Sequence, residues 1–305
     1  MPRALVTGAG GFVGPYLARH LRELGYEVWG TALREVASSD FQSVPLDVRD
    51  AARVRAVVRE LQPDEIYHLA GVTRPASEGA AAFYAVNLGG TLNVLEAARE
   101  VRAAVLVVGS AYVYGAQRGP LSERAPLQPV NHYGASKASA ELAALPYALS
   151  GMRVVRARPF NHVGPGQSPD FLLPTLVQQL ARIEAGRAEP VIKLGNLDAV
   201  RDFTDVRDIV RAYPKLLHEG DNGGVYNLAS GRGVSVRELA ELVLERAEVT
   251  VRLETEAARV RASDIPELVG DATRAREAVG WAPSIPLEAT LEAMLAFERE
   301  RYAAP

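Results

Sequence analysis

The sequence predicts an α/β protein: a doubly wound parallel sheet with a smaller second domain interwoven through its C-terminal half. Three observations carry that expectation. Short, largely β-branched apolar runs alternate with amphipathic helical stretches through the first half of the chain. A glycine cluster stands between the first such run and the first helix. The alternation loosens after Pro159, where loops rich in glycine and proline begin. Strand, helix, strand at this spacing requires right-handed crossovers, which place helices on both faces of a parallel sheet. At 305 residues the chain is long enough for one large or two modest domains.

The elements follow in order. Ala4 to Thr7, Glu27 to Gly30, Ile66 to Ala70, Val105 to Val108 and Val154 to Ala157 have the length and apolar continuity of buried strands. Tyr16 to Leu24, Ala51 to Leu61, Phe83 to Arg99 and Tyr133 to Leu149 have helical periodicity. Beyond the loop Gly164-Pro165-Gly166-Gln167-Ser168-Pro169 a helix is expected from about Pro174 to Gly186. A strand follows at Val191 to Leu194, and one more sheet strand at Val225 to Leu228. Residues 1–160 and about 198–229 are thereby assigned to the sheet domain. Residues of about 161–197 and 230–305 form the second domain.

Composition narrows the function classes. The 34 basic and 37 acidic residues nearly cancel, giving a net charge of −3. That argues against attachment to nucleic acid or membrane by bulk positive charge. No apolar run approaches the ~18 residues of a membrane span, and the N-terminus passes almost at once into strand-like Ala4-Leu5-Val6, leaving no room for a signal peptide. Cysteine is absent, so disulfides and thiolate metal sites are excluded, and the expected compartment is the reducing cytoplasm. The five histidines include no close pair with ligand spacing, and no metal is expected. Lysine occurs only at 137, 193 and 215, the other basic residues being arginine. Base-composition bias accounts for the excess of arginine, and it raises the question of why each remaining lysine was kept.

The glycine cluster reads Thr7-Gly8-Ala9-Gly10-Gly11-Phe12-Val13-Gly14. Its informative spacing is Gly8-x-x-Gly11-x-x-Gly14, between a strand and an amphipathic helix. Gly8 permits the tight turn, Gly11 lets the backbone approach a pyrophosphate, and Gly14 lets helix and strand pack closely. Free N–H groups at the helix start then face the phosphates, with the helix dipole behind them. Pro15 falls in the first turn, where a missing N–H is tolerated. This is a Rossmann-type dinucleotide site. The second strand ends Gly30-Thr31-Ala32-Leu33-Arg34, with no acid before Glu35 to hold the 2′-hydroxyl of NAD. Arg34 matches the 2′-phosphate of NADP instead, so NADPH is the preferred cofactor and NADH the alternative. Asp47-Val48, after the third strand, would cap the adenine.

Tyr133-Gly134-Ala135-Ser136-Lys137 places a phenol and an ammonium on one face of a helix. Such pairs also occur on ordinary helix surfaces. Next to a dinucleotide site, however, an ammonium near a phenol stabilises phenolate and is expected to lower a pKa that starts near 10. Ser110 follows the fifth strand at the carboxyl edge, where its hydroxyl can hold a carbonyl oxygen against the phenol. Arginine would not replace Lys137, because its planar guanidinium is a different, bulkier donor.

Gly8-x-x-Gly11-x-x-Gly14, His68-Leu69-Ala70, Asn87, Ser110 and Tyr133-x-x-x-Lys137 together resemble the extended short-chain dehydrogenase/reductases of the NAD-dependent epimerase/dehydratase type, which act mostly on nucleotide sugars. The likeness runs almost end to end. Arg158-Pro159-Phe160-Asn161-His162-Val163-Gly164-Pro165-Gly166-Gln167 and Leu194-Gly195-Asn196-Leu197-Asp198-Ala199-Val200-Arg201-Asp202-Phe203 resemble the branch of GDP-mannose 4,6-dehydratases and GDP-4-keto-6-deoxymannose reductases. The resemblance implies cofactor contacts from Phe12, Val13, Leu69, Ala70, Gly71, Asn87 and Phe160, besides Tyr133 and Lys137. It implies substrate contacts from Asn161, Lys193, Arg201, Arg261 and Asp264, with Ala262 and Asp264 departing from the proline and glutamate of the family's Arg-Pro-x-Glu segment.

Tyr112 is the discriminating position. Related 4,6-dehydratases carry an acid two residues after the Ser or Thr that matches Ser110, and it removes a proton from C5 as a hydroxyl leaves C6. Here the stretch is Ser110-Ala111-Tyr112-Val113-Tyr114-Gly115, and a neutral phenol is a poor base for a carbon-bound proton. Tyr112 would instead face the sugar. The expected reaction is NAD(P)H-dependent reduction of the C4 ketone of GDP-4-keto-6-deoxy-D-mannose, giving GDP-D-rhamnose or its C4 epimer GDP-6-deoxy-talose. The alternatives are a nucleotide-sugar 4-epimerase with retained NAD and a non-catalytic dinucleotide-binding protein. The resemblance further implies a homodimer formed through helices 83–99 and 133–149.

Overall fold

A computed structural model of the chain describes residues 1–73, 79–256 and 265–303. Seven parallel strands form the central sheet: β1 (Arg3–Thr7), β2 (Glu27–Ala32), β3 (Gln42–Pro45), β4 (Glu65–His68), β5 (Ala104–Val108), β7 (Val154–Pro159) and β11 (Val225–Leu228). Their order is β11-β7-β5-β4-β1-β2-β3, so the chain winds one way to β3, then returns beside β1 and winds the other way. Reversal between β1 and β4 opens a crevice at the carboxyl ends of the strands, where such sheets bind ligands.

Pleating sends successive side chains to opposite faces and so divides the apolar residues between two cores. Ala4, Val6, Tyr67, Leu106 and Val155 pack beneath α1 (Val13–Glu23), α7 (Val206–Glu219) and α9 (Thr273–Val279). Leu5, Ile66, Val105, Val107 and Val154 face α2 (Ala51–Leu61), α4 (Gly90–Val101) and α5 (His132–Leu149). Helix α2 shows the local logic. Asp50 accepts the Arg53 N–H at 2.9 Å as its cap, and Val54, Val57, Val58 and Leu61 form the buried stripe, each contributing ~1.5–3 kcal/mol by leaving water.

The helix expected as one piece over 83–99 is broken into α3 (Gly79–Phe83), a π-helical turn (Tyr84–Gly89) and α4. The wider turn rotates the polar Asn87 inward, where it is buried and fully bonded. A second sheet holds β6 (Pro120–Leu121), β8 (Asn161–Val163), β10 (Val200–Asp205), β12 (Gly233–Ser235) and β14 (Glu267–Gly270), with only the β10–β12 pair antiparallel. Strand β10, which the sequence grouped with the first sheet, therefore hydrogen-bonds in the second. A third core beneath it gathers Leu176, Leu180, Phe203, Leu239 and Leu295 among α6 (Leu172–Glu184), α8 (Val236–Leu244) and α10 (Leu287–Ala303). Strand β9 (Val191–Leu194) pairs with β13 (Arg252–Thr255). Among the described residues no helix is long and apolar enough to cross a membrane, and no three His, Cys, Asp or Glu side chains are grouped to hold a metal.

Candidate active site

The glycine turn is shaped by what its glycines lack. Gly8 has a φ of +72°, and a β-carbon there would stand 2.8 Å from the Ala70 backbone. At Gly14 it would stand 2.2 Å from the Ala9 carbonyl oxygen, so α1 could not close onto the end of β1. At Gly11 the nearest atom is the Gly8 carbonyl at 3.3 Å, with nothing else crowding it. No side chain caps α1 at Phe12, and its first N–H groups remain available to an anion. This cradle fits a pyrophosphate. The Phe12 ring lies nearly parallel to His162, 6.2 Å between centroids, and Val13 packs on the adjoining core. Arg34 is exposed just past β2 and has no ion-pair partner among the described residues. Asp47 accepts several bonds from Arg49, which holds its carboxyl below the usual range, and the neighbouring Val48 is buried against Gly90.

One hydrogen-bonded chain ties β1, β4 and the π-helical turn together. The Thr91 hydroxyl donates to the Asn87 carbonyl at 2.6 Å, so it accepts from His68 Nε2 at 3.0 Å. That leaves His68 Nδ1 to accept from the Thr7 hydroxyl at 2.7 Å, and Thr7 Oγ1 in turn accepts the Ala70 N–H at 3.2 Å. His68 is accordingly neutral, and burial, reinforced by the charge of Lys137, pushes its pKa down to about 3. Asn87 accepts the Val72 N–H at 2.8 Å and donates to the Ser136 hydroxyl at 2.9 Å, joining the segment after β4 to α5. A β-carbon on Gly71 would crowd Asn87 Oδ1 and Lys137 Nζ at 3.0 and 3.1 Å.

Ser110, Tyr133 and Lys137 meet at the carboxyl end of β5. Asn131 caps α5 by accepting the Gly134 N–H at 2.8 Å. Gly134 then lets the helix close on the Ser110 turn, for a β-carbon there would lie 2.4 Å from the Tyr112 carbonyl oxygen. The Tyr133 ring stands edge-on to Tyr112 at 5.7 Å and tilted against Phe83 at 6.3 Å. Lys137 is buried, and its Nζ donates to the Val108 carbonyl at 2.9 Å. The expected lowering of the phenol pKa by this lysine is not found. Burial pushes Tyr133 up; a hydrogen bond with Ser110 opposes the rise, and the neighbouring Tyr112 phenol adds to it. Burial also brings Lys137 down to about 8. The ammonium is engaged by a strand carbonyl, and the phenol keeps its proton.

The residues expected to contact substrate come from separate elements of the second sheet and beyond. Asn161 opens β8, half-buried, directly after the first sheet ends. Arg201 is buried on β10 and donates to the Val200 carbonyl at 2.8 Å. Lys193 is exposed on β9. Arg261 and Asp264 lie outside the described residues. Phe160, expected among the cofactor contacts, has its ring in the core against Tyr114 and Gly270; its N–H donates to the Leu228 carbonyl, and its own carbonyl accepts from His162 Nδ1.

The model of the family described as GDP-mannose 4,6 dehydratase matches residues 5–294. The chain belongs to that family. Within it, the chain is 36% identical over 301 residues to the GDP-6-deoxy-D-mannose reductase of Pseudomonas aeruginosa, covering 96% of each chain. It is 33% identical to the GDP-6-deoxy-D-talose 4-dehydrogenase of Aggregatibacter actinomycetemcomitans, covering 91% of each. The structure of RMD from Pseudomonas aeruginosa complexed with NADPH superposes with a TM-score of 0.86 at 32% identity, over 99% of this chain and all of that one. The chain thus shares the fold of the relatives it matches. Sequence reasoning missed several residues that support the site: Phe83 against the phenol, Asn131 and Gly134 at the start of α5, and the buried pair Glu141 and Arg158. The last two carried a signal, a charge on an alanine-rich helix face and another inside an apolar strand.

Proposed function

We propose that the chain is an NAD(P)H-dependent reductase of the C4 ketone of GDP-4-keto-6-deoxy-D-mannose, forming GDP-D-rhamnose or its epimer GDP-6-deoxy-talose. One observation carries the reading: Ser110, Tyr133 and Lys137 converge beside the glycine crevice; the resemblance adds that Tyr112 stands where the dehydratases carry their eliminating acid. When bound, the reduced nicotinamide supplies the hydride. The chain's own part is to hold the ketone and deliver a proton. Ser110 donates a hydrogen bond to the C4 oxygen and fixes it against Tyr133. The Tyr133 phenol, kept protonated by burial, passes its proton to that oxygen as negative charge develops. Lys137 holds the nicotinamide ribose and supports the phenolate left behind, once a ligand draws its ammonium from Val108. Asn161, Lys193 and Arg201, with Arg261 and Asp264, serve the GDP-sugar, and Arg34 favours NADPH over NADH through the 2′-phosphate. Residues 1–160 and about 206–229 would carry the cofactor, and about 161–205 with 230–305 the nucleotide sugar, β10 and Arg201 going with the second sheet.

The reading extends to a cytoplasmic homodimer paired through α4 and α5. Leu142 and Leu149, seven apart on one face of α5, are 54% and 80% exposed, and burial against a second copy would cover them. The deciding experiment incubates GDP-mannose with a separate 4,6-dehydratase, NADPH and this protein, and identifies the deoxyhexose by NMR. A C4-reduced 6-deoxyhexose is expected, with turnover lowered ~10²–10⁴-fold in Tyr133→Phe and NADPH affinity little changed. Unconsumed NADPH alongside interconversion of C4 epimers would point to an epimerase instead.

A further inference from the structure

Tyr133, Lys137 and Glu141 recur every four residues and so lie on one face of α5. Glu141 is fully buried. Arg158, near the end of β7, grips it with two bonds, Nε to Oε2 at 2.9 Å and Nη2 to Oε1 at 2.5 Å, and Arg156 approaches at 3.6 Å. Arg158 Nη1 also donates to the Tyr114 hydroxyl at 2.7 Å, its guanidinium lying 4.9 Å from that ring's centroid. The Tyr114 hydroxyl donates to Asn227 Oδ1 at 2.6 Å, and Asn227 Nδ2 donates to the Leu121 carbonyl at 2.7 Å. All four side chains are buried.

Stability alone gives little reason for such an arrangement, since well-packed apolar residues often replace a buried ion pair without loss. A two-pronged guanidinium–carboxylate contact supplies a fixed direction, which leucine cannot. It also has something to direct. Gly109, immediately before Ser110, passes over the pair so closely that a β-carbon would stand 3.3 Å from Glu141 Oε2 and 3.7 Å from Arg158 Cγ.

We propose that Glu141 and Arg158 are positioning residues whose ion pair seats the Tyr133–Lys137 face of α5 against Gly109 and Ser110, with Tyr114 and Asn227 extending the seat to β11. The consequence for turnover rests on the reductase function proposed above; the consequence for the position of Lys137 does not. The chain's three lysines make that position observable, because lysine labelled with ¹³C at Cε gives three signals and Lys137→Met identifies one of them. The double variant Glu141→Leu with Arg158→Met removes both charges at similar volume. It is expected to fold, to move the Lys137 signal and raise its titration midpoint from about 8, and to lower kcat by about 100-fold with KM for NADPH little changed. A folded double variant with an unmoved Lys137 signal and normal kcat would show the pair to be structural only and overturn the proposal. Should the double variant not fold, Tyr114→Phe, which strands no charge, decides by the same signals. A smaller shift of the same sign supports the seat, and no shift overturns it. If the wild type binds NADPH but reduces no keto sugar, the reductase reading fails while the lysine signal still decides this one.

Discussion

At the scale of single residues, burial sets the protonation states of the site. Tyr133 keeps its proton, Lys137 is drawn toward neutrality, and His68 is held neutral between two hydroxyls. The last has a consequence for stability. In the unfolded chain His68 takes up a proton near pH 6.5, whereas in the folded protein it does so only near 3. The unfolded state therefore binds more protons throughout that window. The contribution of His68 is complete above pH 6.5 and is lost as pH falls toward 3. Between pH 7 and 5 this residue alone is expected to lower the unfolding free energy by about 2 kcal/mol. Urea titrations at the two pH values check it, and in His68→Gln the difference between them should shrink by that amount.

At the scale of elements, the crevice exists because backbone segments approach without side chains between them. Gly8 lies on the Ala70 backbone, Gly14 on the Ala9 carbonyl, Gly134 on the Tyr112 carbonyl and Gly109 on the Glu141 carboxylate. Gly14→Ala tests the tightest of the cofactor-side contacts. Its β-carbon would force α1 away from β1, so the thermal midpoint should fall by several degrees and NADPH binding weaken at least about tenfold. Fluorescence titration and thermal unfolding measure the two effects. The pattern of the α2 residues located that helix to its exact ends, because its cap and its stripe are both local. The break at Tyr84–Gly89 was not legible, since it answers to Asn87 reaching Val72 and Ser136, which are distant in sequence.

At the scale of the whole molecule, the chain crosses from the first sheet to the second at Phe160, between β7 and β8. Strand β10 falls in the stretch of about 198–229 that the sequence assigns to the sheet domain, yet pairs with β8, β12 and β14. Pairing partners of a buried strand are a property of the assembled sheet, and hydrophobic periodicity does not encode them. The exposed leucines of α5 belong to this scale too. Sedimentation at micromolar concentration is expected to find a dimer, and Leu142→Glu with Leu149→Glu to find a monomer, because burying two new carboxylates against an apolar partner is strongly unfavourable.

The amino-acid order alone determined the strand and helix alternation, the phosphate-binding turn and the phenol–ammonium pair, since each depends on spacings of a few residues. Tertiary structure alone decided where the charge on Lys137 is held, that the pKa of Tyr133 moves up rather than down, and that Glu141 and Arg158 stand against Gly109. Those depend on desolvation and on contacts between segments far apart in the chain. Neither has a signature in local spacing until the sheets close around them.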